Sequence, residues 1–216
     1  MRLRRGADGF TLVELLVAIA ILGIITVPLS NVVIAYLRNT DATTARLIES
    51  HDAQISSAYW AQDVASIGAR STTSPFGFNQ SVETGVAYNL GLYPCGPAGT
   101  PSAIVRLAWD DSSGPGAATL VRVAYVRQAA PGQTQLTELH RLRCVGSTAV
   151  VSDVTIAHDL DPATPPTVAC PTTTAECTPG PPTTVPKSIT LTLAIKDPKN
   201  LGGAYVVWLT GQRRQS

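Results

Sequence analysis

Gly9-Phe-Thr-Leu-Val-Glu14-Leu-Leu-Val-Ala-Ile-Ala-Ile-Leu-Gly23-Ile-Ile-Thr-Val-Pro28-Leu29 is the stretch on which the reading of this chain turns. Between Phe10 and Leu37 the only charged residue is Glu14. A run of this length meets the roughly 20 apolar residues that a helix needs to cross a bilayer. No second run of the kind follows. Arg2, Arg4 and Arg5 stand ahead of it against a single acid, Asp8. A basic flank before an apolar span predicts a cytoplasmic N-terminus and export of the residues after about 37. Ala18-Ile19-Ala20 has the small-x-small spacing of a signal-peptidase site, but it lies inside the run. Glu14 also suits neither a secretory signal peptide nor a plain anchor, because a carboxylate within a span costs about 2.5–3.5 kcal/mol on insertion scales. Something must offset it.

The hexapeptide Gly9-Phe10-Thr11-Leu12-Val13-Glu14 resembles the processing site of type IV prepilins and of type II secretion pseudopilins. The resemblance covers roughly residues 2–30 and extends to the basic leader and to Pro28 in the hydrophobic helix. It implies that residues 1–9 are a leader and that a membrane prepilin peptidase cuts between Gly9 and Phe10. It further implies that the new amine of Phe10 is methylated, and that Glu14, fifth in the mature chain, serves assembly. The chemistry agrees. Gly9 presents a backbone without a Cβ to a protease groove. Inside a filament, Glu14 can pair with the Phe10 amine of a neighbouring subunit, which offsets its desolvation. Pro28 lacks an N–H and is expected to kink or locally melt the helix.

The helical pattern continues beyond the span. Leu37, Thr44, Ile48, Ile55, Tyr59 and Gln62 recur at helical steps, interrupted at Asp41 and at His51-Asp52. No proline occurs between Pro28 and Pro75, and Gly68 precedes a plausible stop. The expectation is one long helix over residues 10–67, with its transmembrane part at about 10–37. After Gly68 the period changes to that of strands. Val86–Leu92, Ala103–Trp109, Ala118–Arg127, Gln135–Cys144, Ala149–Ala157, Ser188–Ile195 and Ala204–Leu209 read as strands, separated by turn residues such as Asp110-Asp111 with Gly114-Pro115-Gly116. Consecutive strands with short turns imply an antiparallel sheet. The predicted fold is therefore α+β, which the resemblance implies is pilin-like, with the second half of the helix packed on the sheet of an exported domain, residues 68–216. Within that domain, 161–187 holds eight of the 16 prolines among many threonines and reads as an extended, unpaired surface loop.

Four cysteines lie on the expected exported side, where disulfides persist. Cys170 and Cys177 are close in sequence, and local pairing is the simplest arrangement, which leaves Cys95 with Cys144; free thiols are the alternative. There is no Cys-x-x-Cys, and the histidines do not cluster with the cysteines, so no metal site is expected. His158-Asp159-Leu160-Asp161 reads as a solvated strand end, His140 as a residue on an exposed strand face, and Arg213-Arg214 as a solvated tail. No Gly-x-Ser-x-Gly and no phosphate-binding glycine loop is present, which argues against catalysis and gives no cofactor. With 16 Lys+Arg against 15 Asp+Glu the net charge is +1, so nothing points to nucleic acid.

These readings converge on a structural subunit, a minor pilin or pseudopilin of a type IV pilus or type II secretion-like filament. Even without residues 1–9 the chain is long for a major subunit and resembles the larger minor components. The implied partners are the prepilin peptidase, other pilin or pseudopilin subunits, an inner-membrane assembly platform and membrane lipid. The alternative is an exported enzyme or ligand-binding domain that uses a pilin-type anchor for targeting.

Overall fold

The computed structural model describes residues 10–70, 80–85, 91–96, 103–112, 117–132, 136–170, 177, 185–196 and 205–214. The chain divides into two compact units, Met1–Leu47 and Ile48–Ser216, and the boundary falls inside its one long helix, α1 (Leu12–Ser66). In the first unit every described residue from Phe10 to Asp41 is exposed, including the whole apolar run. The helix continues through Pro28 without a break in its assignment, so the local melting expected there does not occur. Hydroxyls that would compete for backbone groups fold back instead: Thr26 Oγ1 donates to the Leu22 carbonyl at 2.7 Å and Ser30 Oγ to the Thr26 carbonyl at 2.8 Å.

The second unit is the end of α1 and an antiparallel sheet. Its strands are β1 (Val82–Thr84), β2 (Ala103–Asp111), β3 (Thr119–Ala129), β4 (Thr137–Val145), β5 (Val150–Leu160), β6 (Thr167–Ala169), β7 (Ser188–Ile195) and β8 (Tyr205–Gln212). Their order is β1-β2-β3-β4-β5-β7-β6, with β8 along the other side of β7. β5 and β7 meet at a single register pair, Leu160 with Ile195, whereas β7 and β8 pair from Ser188–Gln212 to Ile195–Tyr205. The sheet is thus two well-paired blocks, β1–β5 and β6–β8, joined at one corner.

Three expectations change. The first strand lies at Val82–Thr84, ahead of the stretch expected at Val86–Leu92; Val86–Leu90 falls outside the described residues, and Gly91-Leu92 is not strand. Asp110 and Asp111 belong to β2 rather than to a turn, because the β2–β3 register runs on to Asp111–Thr119. The Pro/Thr-rich segment is not unpaired throughout. Thr167–Ala169 pairs with Thr190–Thr192, and Cys170, Cys177 and Val185 lie in the core. The rest of that segment, 171–176 and 178–184, lies outside the described residues.

The main core gathers Trp60, Val64 and Ile67 of the helix end against Val105, Leu107, Val123, Tyr125, Leu139, Ile156, Ile189, Leu191 and Leu193. The helix face that enters it is not the one the apolar spacing marked. Ile48 and Gln62 are exposed and Ile55 and Tyr59 half-buried, while Asp52, Ser56, Trp60, Asp63 and Val64 are buried. Polar residues take core positions because each finds a partner on the sheet. Helix and β8 approach so closely that a Cβ on Gly211 would sit 2.5 Å from Val64 Cβ, which restricts that position to glycine. The opposite face of β1–β4 is covered too, by residues 91–96, which explains why β3 is buried on both sides from Val123 to Val126 instead of alternating.

Candidate functional site

The first turn of α1 is built by two of the residues singled out in the sequence. The helix begins at Leu12, which makes Thr11 its N-cap and Glu14 the third helical residue. Glu14 N–H donates to Thr11 Oγ1 at 3.3 Å, and Glu14 Oε2 accepts from both Thr11 N–H and Thr11 Oγ1 at 3.2 Å. This is a capping box, in which donors that the helix leaves orphaned are satisfied reciprocally. Glu14 also places negative charge at the positive end of the helix dipole. Phe10, immediately before the cap, is 85% exposed. The structure thus brings Phe10, Thr11 and Glu14 onto one turn; Gly9 lies outside the described residues. Part of what offsets Glu14 in an apolar span is therefore intrachain.

The helix end in the second unit carries polar contacts that the sequence reading passed over. Asp63 is 1% exposed and is gripped by Arg141, Nε to Oδ2 and Nη2 to Oδ1, both at 2.6 Å. Tyr125 Oη donates to the same Oδ2 at 2.6 Å. Burial, then the Asp63 charge, pushes the Tyr125 hydroxyl well above its ordinary value. Burial pulls Arg141 down, but its bonds to Asp63 outweigh that and the net shift is upward. Tyr59 stacks under the Arg141 guanidinium at 4.7 Å, and Trp60 meets Tyr125 edge-on at 5.1 Å. Ser56 Oγ donates to the Ile156 carbonyl and Trp60 Nε1 to the Ile189 carbonyl. Asp52 accepts from the His158 N–H at 2.8 Å and faces its ring. His158 is therefore a tether between helix and β5, not the solvated strand end expected. Only the acid and hydroxyl spacing Asp52, Ser56, Asp63 could have signalled this face.

The remaining candidates are structural. Glu83 and Arg106 form a buried ion pair at 3.6 Å, and the Glu83 carboxylate also accepts the N–H groups of Leu92 and Tyr93. Gly91 is required there, since its φ is +86° and a Cβ would lie 2.6 Å from Glu83 Oε1. The chain forms the disulfides Cys95–Cys144, which fastens that segment to β4, and Cys170–Cys177, whose Cys177 carbonyl accepts from Thr84 Oγ1. His140 is half-buried rather than exposed. Its Nδ1 lies 2.8 Å from Asp153 and its Nε2 3.3 Å from Glu138. The two carboxylates thus sit on opposite sides of the ring and cannot share an ion with it; among the described residues no group of three His, Cys, Asp or Glu is placed to hold a metal. Arg213 and Arg214 are held by their backbones, to Lys187 and Ala65, rather than forming a free tail.

Residues 4–30 match the family model described as the prokaryotic N-terminal methylation motif. The N-terminal segment is prepilin-like. Neither the comparison with curated proteins nor that with solved structures gives a match. The matched residues take in residues 4–8 of the expected leader, Gly9, Phe10, the capping box and the apolar helix as far as Ser30. The motif supports a type IV pilin-like protein and implies processing by a prepilin peptidase and assembly with other pilin subunits; among the described residues one helix, Leu12–Ser66, is long and apolar enough to serve as a membrane anchor.

Proposed function

We propose that this chain is a minor pilin or pseudopilin, a structural subunit of a type IV pilus or type II secretion-like filament rather than an enzyme. Its exported domain is residues 68–216. Prepilin peptidase cuts between Gly9 and Phe10, the Phe10 amine is methylated, and the subunit passes from membrane lipid through an inner-membrane assembly platform into the filament. The observation that carries the reading is the methylation motif running directly into an apolar helical stretch, exposed from Phe10 to Asp41, with Glu14 on its first turn. Size supports the minor role, because 216 residues are many for a major subunit. Phe10 gains its amine only on cleavage, so a pair between that amine and Glu14 of a neighbour couples processing to docking. The test is Glu14→Val expressed beside the wild type, with leader removal and filament incorporation followed separately. Cleavage without incorporation is expected. Normal incorporation overturns the assembly role, and uncleaved protein places Glu14 in peptidase recognition instead.

A further inference from the structure

Which way the backbone groups of β8 point can be read from its last residues. Arg213 N–H donates to the Lys187 carbonyl at 2.8 Å, which continues the β7–β8 register by one pair. Bonded residues alternate along an antiparallel strand, so Tyr205, Val207, Leu209 and Gly211 also turn their N–H and C=O groups to β7. The other side of β7 agrees: Asp161 N–H donates to the Ala194 carbonyl and Lys196 N–H to the Asp159 carbonyl. Val206, Trp208, Thr210 and Gln212 therefore turn their backbone groups outward, and all four residues are exposed. Arg214 continues the outward set, and its N–H is taken by the Ala65 carbonyl at 3.1 Å. Among the described residues no backbone partner meets the other four.

An edge of this kind is a template for a further strand, and natural edges are blunted by charge, proline, a bulge or shortness. β8 uses none of these. It runs eight residues, Tyr-Val-Val-Trp-Leu-Thr-Gly-Gln, with no charge and no proline, and its register with β7 is unbroken. β1 and β6, the other terminal strands, have three residues each. The two ends of β8 differ in charge. At one end Arg213 meets Lys187 and Arg214 follows. At the other, Glu49, Asp52 and Asp159 lie close enough to help push the Tyr205 hydroxyl up, and they outnumber Lys196 there.

We propose that β8 pairs antiparallel with β8 of a second copy of this chain, joining the two sheets into one. The unmet groups are a row of alternating backbone donors and acceptors, which only another extended backbone matches along its length. β8 is self-complementary in that role. With Val206 opposite Gln212 of the second copy and Trp208 opposite its Thr210, all four outward residues of each chain find partners. The ladder stops short of Arg214, whose N–H is already in use. Antiparallel pairing sets the Lys187, Arg213 and Arg214 end of each copy beside the acidic end of the other, whereas a parallel pair would bring like charges together. The same register places the two Trp208 side chains diagonally across the new ladder, about 7–8 Å apart at the backbone and within reach of each other. Pairing here is independent of the filament reading, since no residue of the stretch 10–41 takes part.

The test uses the full chain in detergent micelles. Sedimentation at rising protein concentration reports association, and amide exchange is followed at Val206, Trp208, Thr210 and Gln212. Reversible dimerisation is expected, with these four amides slowed and tryptophan emission shifted to the blue as dimer forms. Added salt should weaken it. Thr210→Pro removes an outward N–H that β7 does not use, so it should weaken dimerisation about tenfold or more with circular dichroism unchanged. Arg214→Glu alters no backbone group and should also weaken it, which keeps the test independent of how well proline is tolerated. The proposal is overturned by a monomer whose four amides exchange freely at every concentration, by slowed amides in a monomer, which would mean that another segment of the same chain covers the edge, by a dimer that neither substitution weakens, or by association that requires a different chain.

Discussion

Residues 12–47 and 48–66 are one continuous helix, yet they obey opposite rules. In the first stretch hydrophobicity is high and burial absent, with Leu15, Leu16, Ile19, Leu22 and Ile25 all exposed. In the second, hydrophobicity falls and burial is decided by hydrogen bonds, with Asp52, Ser56 and Asp63 inside and Ile48 outside. The difference teaches that apolar side chains on a helix mark its environment where that environment is uniformly apolar, and fail to mark the buried face where a particular sheet supplies hydrogen-bond partners. The first stretch is written for lipid and for other subunits. The second is written for a particular sheet, and its acids and hydroxyls fix the register that a purely apolar stripe would leave free to slide.

The largest expected effect breaks the comparison at Asp63. Asp63→Ala leaves Arg141 buried without its carboxylate and should cost about 3–5 kcal/mol of domain stability. Leu16→Ala, on the exposed stretch, should leave the thermal unfolding of the second unit unchanged. The double change Asp63→Leu with Arg141→Met should recover most of the loss if the pair serves register rather than net stability. Thermal denaturation of the three variants distinguishes these outcomes, and equal losses in all of them would refute the contrast.

Disulfides give the next effect. Cys95–Cys144 spans 49 residues and Cys170–Cys177 spans 7. The chain-entropy account gives about 4 kcal/mol for the first and about 2.5 kcal/mol for the second. Pairwise replacement by serine, followed by denaturant unfolding, should rank them in that order. The reverse ranking would show that anchoring the core end of the Pro/Thr-rich segment outweighs loop length.

A third effect is alkaline. Burial, then Glu83, pushes Tyr93 up to about 12; burial, then Glu49, does the same to Tyr205; Tyr125 lies well above 10. A raised value in the fold means the protonated form is the one stabilised. That contribution is fully present below pH 10, where the unfolded chain begins to ionise, and is lost as pH rises through the folded values. Tyrosinate absorbance should therefore fall short of all six tyrosines until the protein unfolds. Tyr125→Phe should flatten the alkaline loss of stability. A complete, simple titration near pH 10 in folded protein contradicts the buried network.

How much of this was legible follows from the same contrast. The membrane run, the helix over nearly its full length and six of the eight strands stand in the sequence because period and composition encode them locally. Ser188–Ile195 was legible to the residue. The strands Val82–Thr84 and Thr167–Ala169 were not, since three residues have no period and the second sits among prolines. The buried helix face was misread because Asp52 and Asp63 look like solvent residues until Arg141, Tyr125 and His158 arrive from β3, β4 and β5. That Trp208 on β8 stands 69% exposed gave no signal either, because alternation places a residue on a face without saying whether anything covers it.

The smallest energetic effect concerns the first turn, and it separates two roles that Glu14 plays with one carboxylate. Within the chain it closes the capping box on Thr11, where losing the cap costs about 1 kcal/mol. In the filament reading it pairs with a neighbour's Phe10 amine, which requires charge. Glutamine can complete a capping box but carries no charge. Glu14→Gln should therefore keep the start of the helix and lose incorporation into filaments. Thr11→Ala should fray the first turn and keep the charge, so incorporation should fall only modestly. The measurements are backbone amide exchange of residues 12–15 in micelles and recovery of each variant in sheared filaments. If Glu14→Gln assembles normally while Thr11→Ala does not, the cap is what assembly needs, and the apolar stretch is governed at its first turn by the hydrogen-bond logic of the second.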